Sequence, residues 1–287
     1  MGMQAKELLK VSKQAFNRLV EAVGAGQSDA LRQYLGIMGR FHKYSFGNAI
    51  LIGLQSPEAT HVAGFHTWRK LGRSVRKGEK GIAIMAPILY RKSIPAETEQ
   101  QEDIEMEFVH SFKAAYVFDI SQTEGKELPQ FAHVQGNPGE YLKRLRAFID
   151  GKGIELQYCN MPGTTQGLSA GGKIVLREGM SHAEEFSTLV HELAHEQLHR
   201  DEESRQRCRN VKETEAEAVA YVVCEAIGLD TNTSGSDYIQ LYDGDKETLM
   251  KSLTRIQSTA SEIINAIQIE QNNNKNANAV EILAEAA

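Results

Sequence analysis

The sequence predicts an α+β protein with two domains, an N-terminal domain of helices and a small sheet, and a C-terminal domain built around long helices. Through most of the chain, apolar residues recur at three- and four-residue steps, which is typical of amphipathic helices. Short β-rich runs interrupt them in both halves, as at residues 82–87 and 173–176. Glycine and proline concentrate between Ser121 and Pro138, which indicates a linker. We therefore divide the chain into residues 1–128, residues 129–270 and a low-complexity tail, 271–287.

The N-terminal residues, 6–54, have a mainly helical pattern in at least two pieces. Apolar residues from Leu8 to Val23 are spaced for one helix, and Gly24 to Gly26 end it. Residues 31–38 predict a second helix. A mixed basic and aromatic stretch, 40–48, then precedes the apolar run 49–54. Strands are predicted at 82–87 and 114–119, and the acidic residues between 97 and 107 predict a solvated loop or hairpin edge.

The segment from His61 to Lys92 carries eight basic residues and one acid in a chain whose net charge is −6. Trp68, the only tryptophan, is next to two of these cations. Cations that pair with phosphates and aromatic rings that stack on bases are typical of sites for single-stranded nucleic acid. The alternative is that the basic residues cover the solvent side of strands and that Trp68 belongs to the core. The predicted DNA-contacting residues are Lys43, Tyr44, Asn48, Trp68, Arg69, Lys70, Arg73, Arg76, Lys77 and Lys80.

The C-terminal half begins with a predicted helix at 141–149, a strand at 154–158, a glycine-rich turn and a strand at 173–176. This last strand is expected to form one wall of a cleft, with an extended peptide added at the sheet edge. Ser181 and Glu184 form a capping box at the start of the next helix. Residues 211–227 predict a helix ended by Gly228, with alanines that permit close packing. A long helix is predicted over 246–269.

The central motif is His191-Glu192-Leu-Ala-His195, which places two imidazoles on one helical face. Two histidines and one carboxylate complete the protein ligands of a catalytic zinc, so Glu213 is assigned as the third ligand. Glu217, one turn further on, is expected to orient a ligand histidine, and His199 is expected to be structural or to support the ligands. Manganese or iron fits the same ligand set.

The predicted chemistry is hydrolysis of a peptide bond, with Glu192 as the general base that deprotonates a water molecule activated by zinc. His199, Tyr221 and Tyr238 are equally ranked candidates for stabilising the oxyanion. Two alternatives stay open. The motif also occurs by chance in helices that bind nothing, and a metal site of this kind can be structural or sensory instead of catalytic.

Composition limits the compartment. Hydrophobic residues make up 41% and charged residues 24% of the chain, as in ordinary globular proteins. No apolar run approaches the ~18 residues of a membrane helix, and the N-terminus lacks the apolar core of a signal peptide. The three cysteines are widely spaced and suit a reducing compartment. We therefore expect a cytoplasmic protein with no membrane association.

Two resemblances join these observations. The segment from His191 to His199, followed by Glu213-x-x-Ala216-Glu217-x-x-Ala220, is similar to the zincin-like metallopeptidase domain of the ImmA/IrrE family. In that family the first glutamate of a comparable motif is the third zinc ligand, which corresponds to Glu213. Those domains usually carry Asn or Asp where this chain has Glu217, so the chain departs from the family's pattern at this position.

The N-terminal half resembles the ArdC-type antirestriction domain. The matching residues are Tyr44-Ser-x-x-Asn48, Trp68, Leu71-Gly-Arg-x-Val-Arg-Lys-Gly-Glu-Lys-Gly81 and Pro87. The resemblance implies single-stranded DNA binding beside a peptidase-like domain, on proteins carried by mobile elements. One hypothesis is an antirestriction peptidase that cleaves an unidentified protein. The other is a non-catalytic protein that protects incoming plasmid or phage DNA by occupying it.

Overall fold

Helices supply most of the ordered chain in the computed structural model, which describes residues 4–94, 104–127, 137–200, 207–229, 241 and 245–268. The helices are α1 (Ala5–Gly24), α2 (Ser28–Arg40), α3 (Phe46–Gln55), α4 (Phe65–Lys70), α5 (Glu140–Gly151), α6 (His182–Leu198), α7 (Arg209–Ile227) and α8 (Lys246–Gln268). The strands are β1 (Val62–Gly64), β2 (Arg73–Val75), β3 (Ile82–Ile94), β4 (Ile104–Asp119), β5 (Thr123–Gly125), β6 (Glu155–Cys159), β7 (Gly167–Ser169) and β8 (Lys173–Arg177). The mixed α+β class is as predicted.

The chain forms two units, and the described part of the first consists of residues 4–15, 50–94 and 104–127. Its main sheet has the strand order β1-β4-β3, and β3 and β4 form a long antiparallel hairpin from Ile82↔Val117 to Ile94↔Ile104. Leu8, Leu51 and Ala83 pack together beneath it. The two predicted strands are confirmed and are longer than expected. Residues 104–107, predicted as a solvated loop or hairpin edge, lie in β4 and pair with β3, and residues 97–103 lie outside the described residues.

The second unit consists, where described, of residues 16–49, 137–200, 207–229, 241 and 245–268. Its sheet has the order β6-β8-β7, with β6 parallel and β7 antiparallel to β8. The expectation that β8 offers an edge to a peptide is therefore wrong, because β8 is hydrogen-bonded on both sides. The strands with an unpaired side are β6 and β7, since β8 is the one partner of each among the strands that the structure describes.

Helix packing positions the site in this unit. The apolar stripe of α6 is fully buried, and small residues of α7, including Ala216 and Ala218, are buried as well. A methyl group added to Gly39 of α2 would lie 2.9 Å from the Val222 carbonyl of α7, so these two backbones approach closely. Gly228 ends α7 with φ 71°, the left-handed conformation that glycine adopts most easily.

The two units differ from a division of the chain at residue 128. Residues 16–49, which we placed in the N-terminal domain, group with the C-terminal half, because helices such as α2 pack on α7. Residue 128 itself and the proposed tail, 271–287, lie outside the described residues. No helix in the part of the chain that the structure describes is long and apolar enough to cross a membrane.

Candidate metal centre and nucleic-acid surface

Helix α6 is fixed at its start and along one face. Ser181 Oγ accepts a hydrogen bond from the Glu184 backbone N–H, and the Ser181 backbone N–H donates to the Glu184 carboxylate at 2.9 Å. Phe186, Leu189 and Leu193 then bury their side chains completely. His191 and His195 lie one turn apart beside this buried stripe, with side chains 21% and 17% exposed. The helix therefore holds both imidazoles at the wall of an open cleft.

Helix α7 brings Glu213 to the same point. Its Oε2 atom lies 3.5 Å from Nε2 of His191 and 3.5 Å from Nε2 of His195, and the two Nε2 atoms are 3.1 Å apart. Ligand atoms ~2.0–2.1 Å from a tetrahedral zinc ion are about 3.3 Å from one another. The three atoms therefore have the separations that a small divalent cation needs, and the donor set of two imidazoles and a carboxylate suits zinc, manganese and iron.

The charges around this triangle favour a cation. Burial opposes a positive charge on His191, but Glu213 and Glu217 outweigh it and raise its pKa to about 9. Hydrogen bonding to His191 lowers the pKa of Glu213 to about 2. Glu217 Oε2 lies 3.5 Å from Nδ1 of His191, the ring atom that faces away from the triangle. Glu217 is thus placed where a carboxylate can fix the orientation of a ligand imidazole.

Glu192 is held next to the triangle in a buried position. Burial, together with the negative charges of Glu213 and Glu196, raises its pKa to about 6, although His191 acts in the opposite direction. A carboxylate with a pKa near neutrality is suited to accept and return protons. A methyl group at Gly167 of β7 would lie 2.7 Å from Oε1 of Glu192, so β7 passes directly over the carboxylate.

Glu196 fastens the cleft wall to α6, a role that the sequence did not reveal. Its buried carboxylate accepts hydrogen bonds from Ser169 Oγ at 2.6 Å and from the backbone N–H groups of Gly171 and Gly172 at 2.8 and 2.7 Å. These donors belong to β7 and to the turn that leads to β8. The pair of glycines at 171 and 172 was the only signal for this turn in the sequence, and the structure places both at positive φ.

The remaining residues predicted for this centre have other positions. The ring of His199 packs on His195 at 5.3 Å, and its Nε2 lies 3.2 Å from the Lys212 carbonyl oxygen, so it supports the site from outside the triangle. The hydroxyl of Tyr221 lies against Gly36 of α2, which does not fit a role in stabilising an oxyanion. Tyr238 lies outside the described residues.

Several residues predicted to contact DNA are interior. Trp68 is 1% exposed and donates its indole N–H to the Phe118 carbonyl at 2.9 Å, so it cannot stack on a base in this position. Tyr44 and Asn48 are also buried, and they belong with Lys43 to the second unit. The interleaving of Trp68 with cations is explained by α4, a short helix that buries Thr67 and Trp68 and exposes Arg69 and Lys70.

The basic residues from Arg69 to Lys80 form two groups. Arg73 donates to Thr123 Oγ1 at 2.7 Å and to the Lys126 carbonyl at 2.6 Å, and Arg76 pairs with Glu79 at 2.9 Å. These two guanidinium groups hold β2 and the following turn in place. The others extend into solvent and are available to phosphates. They are Arg69, Lys70, Lys77 and Lys80.

Comparison with known proteins agrees with this arrangement. Residues 10–118 match the family described as the N-terminal domain of anti-restriction factor ArdC. An uncharacterized protein of Bacillus anthracis is 30% identical over 85% of this chain, and the chain spans about half (50%) of that relative's length.

Solved structures give the fold. The metal-free crystal structure of the antirestriction protein ArdC from plasmid R388 matches with a TM-score of 0.50 and 19% identity over 90% of this chain and 97% of that one. The Mn(II)-bound crystal structure of the same protein matches with a TM-score of 0.47 and 20% identity over 89% and 97% of the two chains. Residues 10–118 are thus similar to the N-terminal domain of ArdC, and the chain has a fold similar to that of ArdC.

Proposed function

We propose that this chain is an antirestriction protein that binds single-stranded DNA through its ArdC-type domain and hydrolyses peptide bonds at a divalent metal centre. The observation that carries the second part is the triangle of His191, His195 and Glu213, with separations of 3.1–3.5 Å and Glu192 beside it. The ArdC-type domain and the four exposed basic residues support the first part.

Each residue of the metal centre has a separate role in the proposed hydrolysis. A bound divalent cation would polarise the scissile carbonyl and acidify a water molecule. His191, His195 and Glu213 would hold that cation, and Glu217 would keep the His191 ring oriented through Nδ1. Glu192, with its pKa near 6, would accept the proton of the attacking water at a carboxylate oxygen and return it to the leaving amine.

The shape of the cleft favours an extended peptide as the substrate. Strand β7 lies over Glu192 and has one unpaired side among the described strands, so its backbone can pair with a peptide as an added strand. Leu168 at its centre is 54% exposed. This arrangement would place a peptide carbonyl between β7 and the triangle.

The metal centre is tested by metal content and affinity. We expect stoichiometric Zn²⁺ or Mn²⁺ in the purified wild type and none in Glu213→Ala. Glu217→Ala should bind 10–100-fold more weakly, as is typical when a partner of a ligand histidine is lost. The matched control is Glu225→Ala, because Glu225 is an exposed glutamate of α7 that lies about three turns after Glu213. This variant should keep wild-type affinity for the metal. Equal metal content in Glu213→Ala and the wild type would refute the ligand assignment.

Catalysis is tested with Glu192→Gln. This variant keeps the size of the side chain and removes its basicity, so it should retain metal and DNA binding and lose antirestriction activity in cells. Mass spectrometry of a host lysate incubated with each protein should show cleavage products with the wild type and none with the variant. Full antirestriction activity in Glu192→Gln would show that hydrolysis is not needed for the biological role.

A second function is favoured by the range of the family match, which ends at residue 118, before the metal centre. Here the protein would coat the entering strand, and the metal would be structural or sensory. Under this proposal Glu192→Gln stays active in cells, whereas replacing Arg69, Lys70 and Lys77 together by alanine abolishes protection. The same two variants therefore distinguish the two functions.

A further inference from the structure

The outer face of α4 has a composition that the rest of the first unit does not explain. Thr67 and Trp68 point into the core, which leaves Phe65, His66, Arg69 and Lys70 exposed. Residues four apart on a helix are neighbours about 5–6 Å apart. Each aromatic ring is therefore followed by a cation, Phe65 by Arg69 and His66 by Lys70. We call these four residues the α4 platform.

The platform is rigidly supported. Trp68 anchors α4 from below through its bond to the Phe118 carbonyl, and the Leu71 backbone N–H continues the helix by donating to the Thr67 carbonyl at 3.0 Å. Arg73 then ties the next strand to residues 123–126. The rings of Phe65 and His66 contact each other edge to face, with centroids 5.9 Å apart. The four outer side chains are thus presented by a short element that is fixed at both ends.

We propose that the α4 platform is a stacking site for single-stranded DNA, in which Phe65 stacks on a base while Arg69 and Lys70 pair with the flanking phosphates. This proposal rests on the DNA-binding function proposed above and assigns its aromatic contact. Phe65 is 44% exposed although it is a large apolar side chain, and a base would cover it. The ring is also on the same helical face as a cation, the combination that a strand of alternating bases and phosphates requires.

The platform replaces Trp68 as the aromatic element of the DNA surface. The sequence places both rings beside the same cations, and only the direction of α4 decides which one meets the solvent. The side chain of Trp68 is buried in the core, whereas Phe65, at the first position of the helix, is exposed to solvent.

The test uses the full chain and a fluorescein-labelled oligothymidylate of about 20 nucleotides, with fluorescence anisotropy as the readout. Base stacking on an aromatic side chain contributes roughly 5- to 150-fold in affinity per base, so Phe65→Ala should weaken binding by at least about 5-fold. Phe65→Trp keeps an aromatic ring at this position and should bind as tightly as the wild type. The matched control is Phe112→Ala, because Phe112 is 56% exposed on β4 and lies outside the platform.

A second oligonucleotide separates stacking from other effects. An abasic strand of the same length keeps the phosphates and removes the bases, so Phe65→Ala and the wild type should bind it equally. The salt dependence of binding gives an independent check. Log affinity falls linearly with log salt, and Arg69→Ala and Lys70→Ala should each make this slope less steep by about 0.7. Phe65→Ala should leave the slope unchanged.

Each result has one meaning. If the wild type binds oligothymidylate and Phe65→Ala binds it equally well, the platform is refuted and DNA binding stands. If Phe65→Ala loses affinity for both strands equally, the loss is not stacking and the proposal also fails. If the wild type binds neither strand, the DNA-binding function fails together with this assignment.

Discussion

At the scale of single residues, Glu196 shows how helix α6 and the cleft wall are joined. Burial disfavours its ionisation, but hydrogen bonds from Ser169, Gly172 and Gly171 outweigh burial and lower its pKa. In Glu196→Gln, the amide NH₂ group replaces one accepting oxygen, so at least one donor of the turn loses its partner. We expect a loss of about 1–3 kcal/mol in unfolding free energy, measured by urea denaturation followed by circular dichroism.

Glu178→Gln is the matched control for this change, because Glu178 is exposed just after β8 and bonds through its backbone N–H to the Cys159 carbonyl. It should unfold like the wild type. Loss of the Glu196 carboxylate in Glu196→Gln should also have a local effect, which is faster hydrogen exchange at the backbone amides of Gly171 and Gly172. Unchanged exchange at these two amides would show that the carboxylate does not fasten the turn.

Asp119 gives a prediction about pH in the first unit. Burial opposes its ionisation, but hydrogen bonds from Ser121, Thr60 and His61 outweigh it and hold its pKa below the ordinary 3.8. A depressed pKa means that the ionised form stabilises the fold above about pH 4 and that this stability is lost as the pH falls further. Asp119→Asn should therefore cost about 1–3 kcal/mol at pH 7 and less at pH 3.

Trp68 makes this measurement simple, since it is the only tryptophan of the chain and is buried in the same unit. Its fluorescence follows urea unfolding of the first unit directly. A difference between Asp119→Asn and the wild type that is as large at pH 3 as at pH 7 would contradict the role of the charge.

The chemistry of single residues was predictable where spacing alone determines geometry. His191 and His195 share a face because a helix repeats every 3.6 residues, and Glu213 follows from the number of ligands that zinc requires. Which aromatic residue of α4 faces the solvent, and which arginines bond to backbone carbonyls, depend on tertiary contacts that the sequence does not display. The sequence therefore did not show that Trp68 is buried or that Arg73 bonds to a backbone carbonyl.

At the scale of elements, long helices were predicted to within a few residues, and three-residue strands were missed. Helices α6 and α7 carry their own capping and end signals, Ser181 and Gly228. Strand β7 consists of Gly167-Leu-Ser169, which is too short for an alternating pattern and contains a glycine. Its glycine is required because β7 passes over Glu192, a reason visible only in three dimensions.

Two glycines of α2 provide a matched pair for testing how α2 packs on α7. An added methyl group at Gly39 would lie 2.9 Å from the Val222 carbonyl and 3.3 Å from Cβ of Glu225, so Gly39→Ala should destabilise the protein by about 1–3 kcal/mol. At Gly36 the nearest atom is the Tyr221 hydroxyl at 3.8 Å, so Gly36→Ala has room and should gain up to about 1 kcal/mol from helix propensity.

Thermal unfolding followed by helical circular dichroism measures both variants. We expect a lower midpoint for Gly39→Ala and a higher midpoint for Gly36→Ala relative to the wild type. Equal destabilisation by the two substitutions would mean that α2 does not pack on α7 through Gly39.

At the scale of the whole molecule, the units do not follow the order of the chain. Residues 16–49 precede the basic segment in the sequence but belong to the unit that contains the metal centre. A sequence reading assigns neighbours by proximity along the chain, and nothing in the pattern of α2 shows that its buried face meets α7, almost 200 residues later. The predicted linker between 121 and 138 includes one of several points at which the chain passes from one unit to the other.

The two proposed ligands should therefore stabilise different sets of elements, and hydrogen exchange of the full chain can test this. Amide hydrogens of a unit exchange when that unit opens. A ligand that binds only the folded state slows this exchange by a factor of 1 + [L]/Kd, which is about 100-fold at a ligand concentration of 100 Kd. Saturating Zn²⁺ or Mn²⁺ should protect peptides from α6, α7 and β7. Oligothymidylate should protect peptides from α4 and β2. Metal should have no such effect in Glu213→Ala, which serves as the control, and metal protection of α6 and α7 in that variant would contradict the assigned ligand triangle.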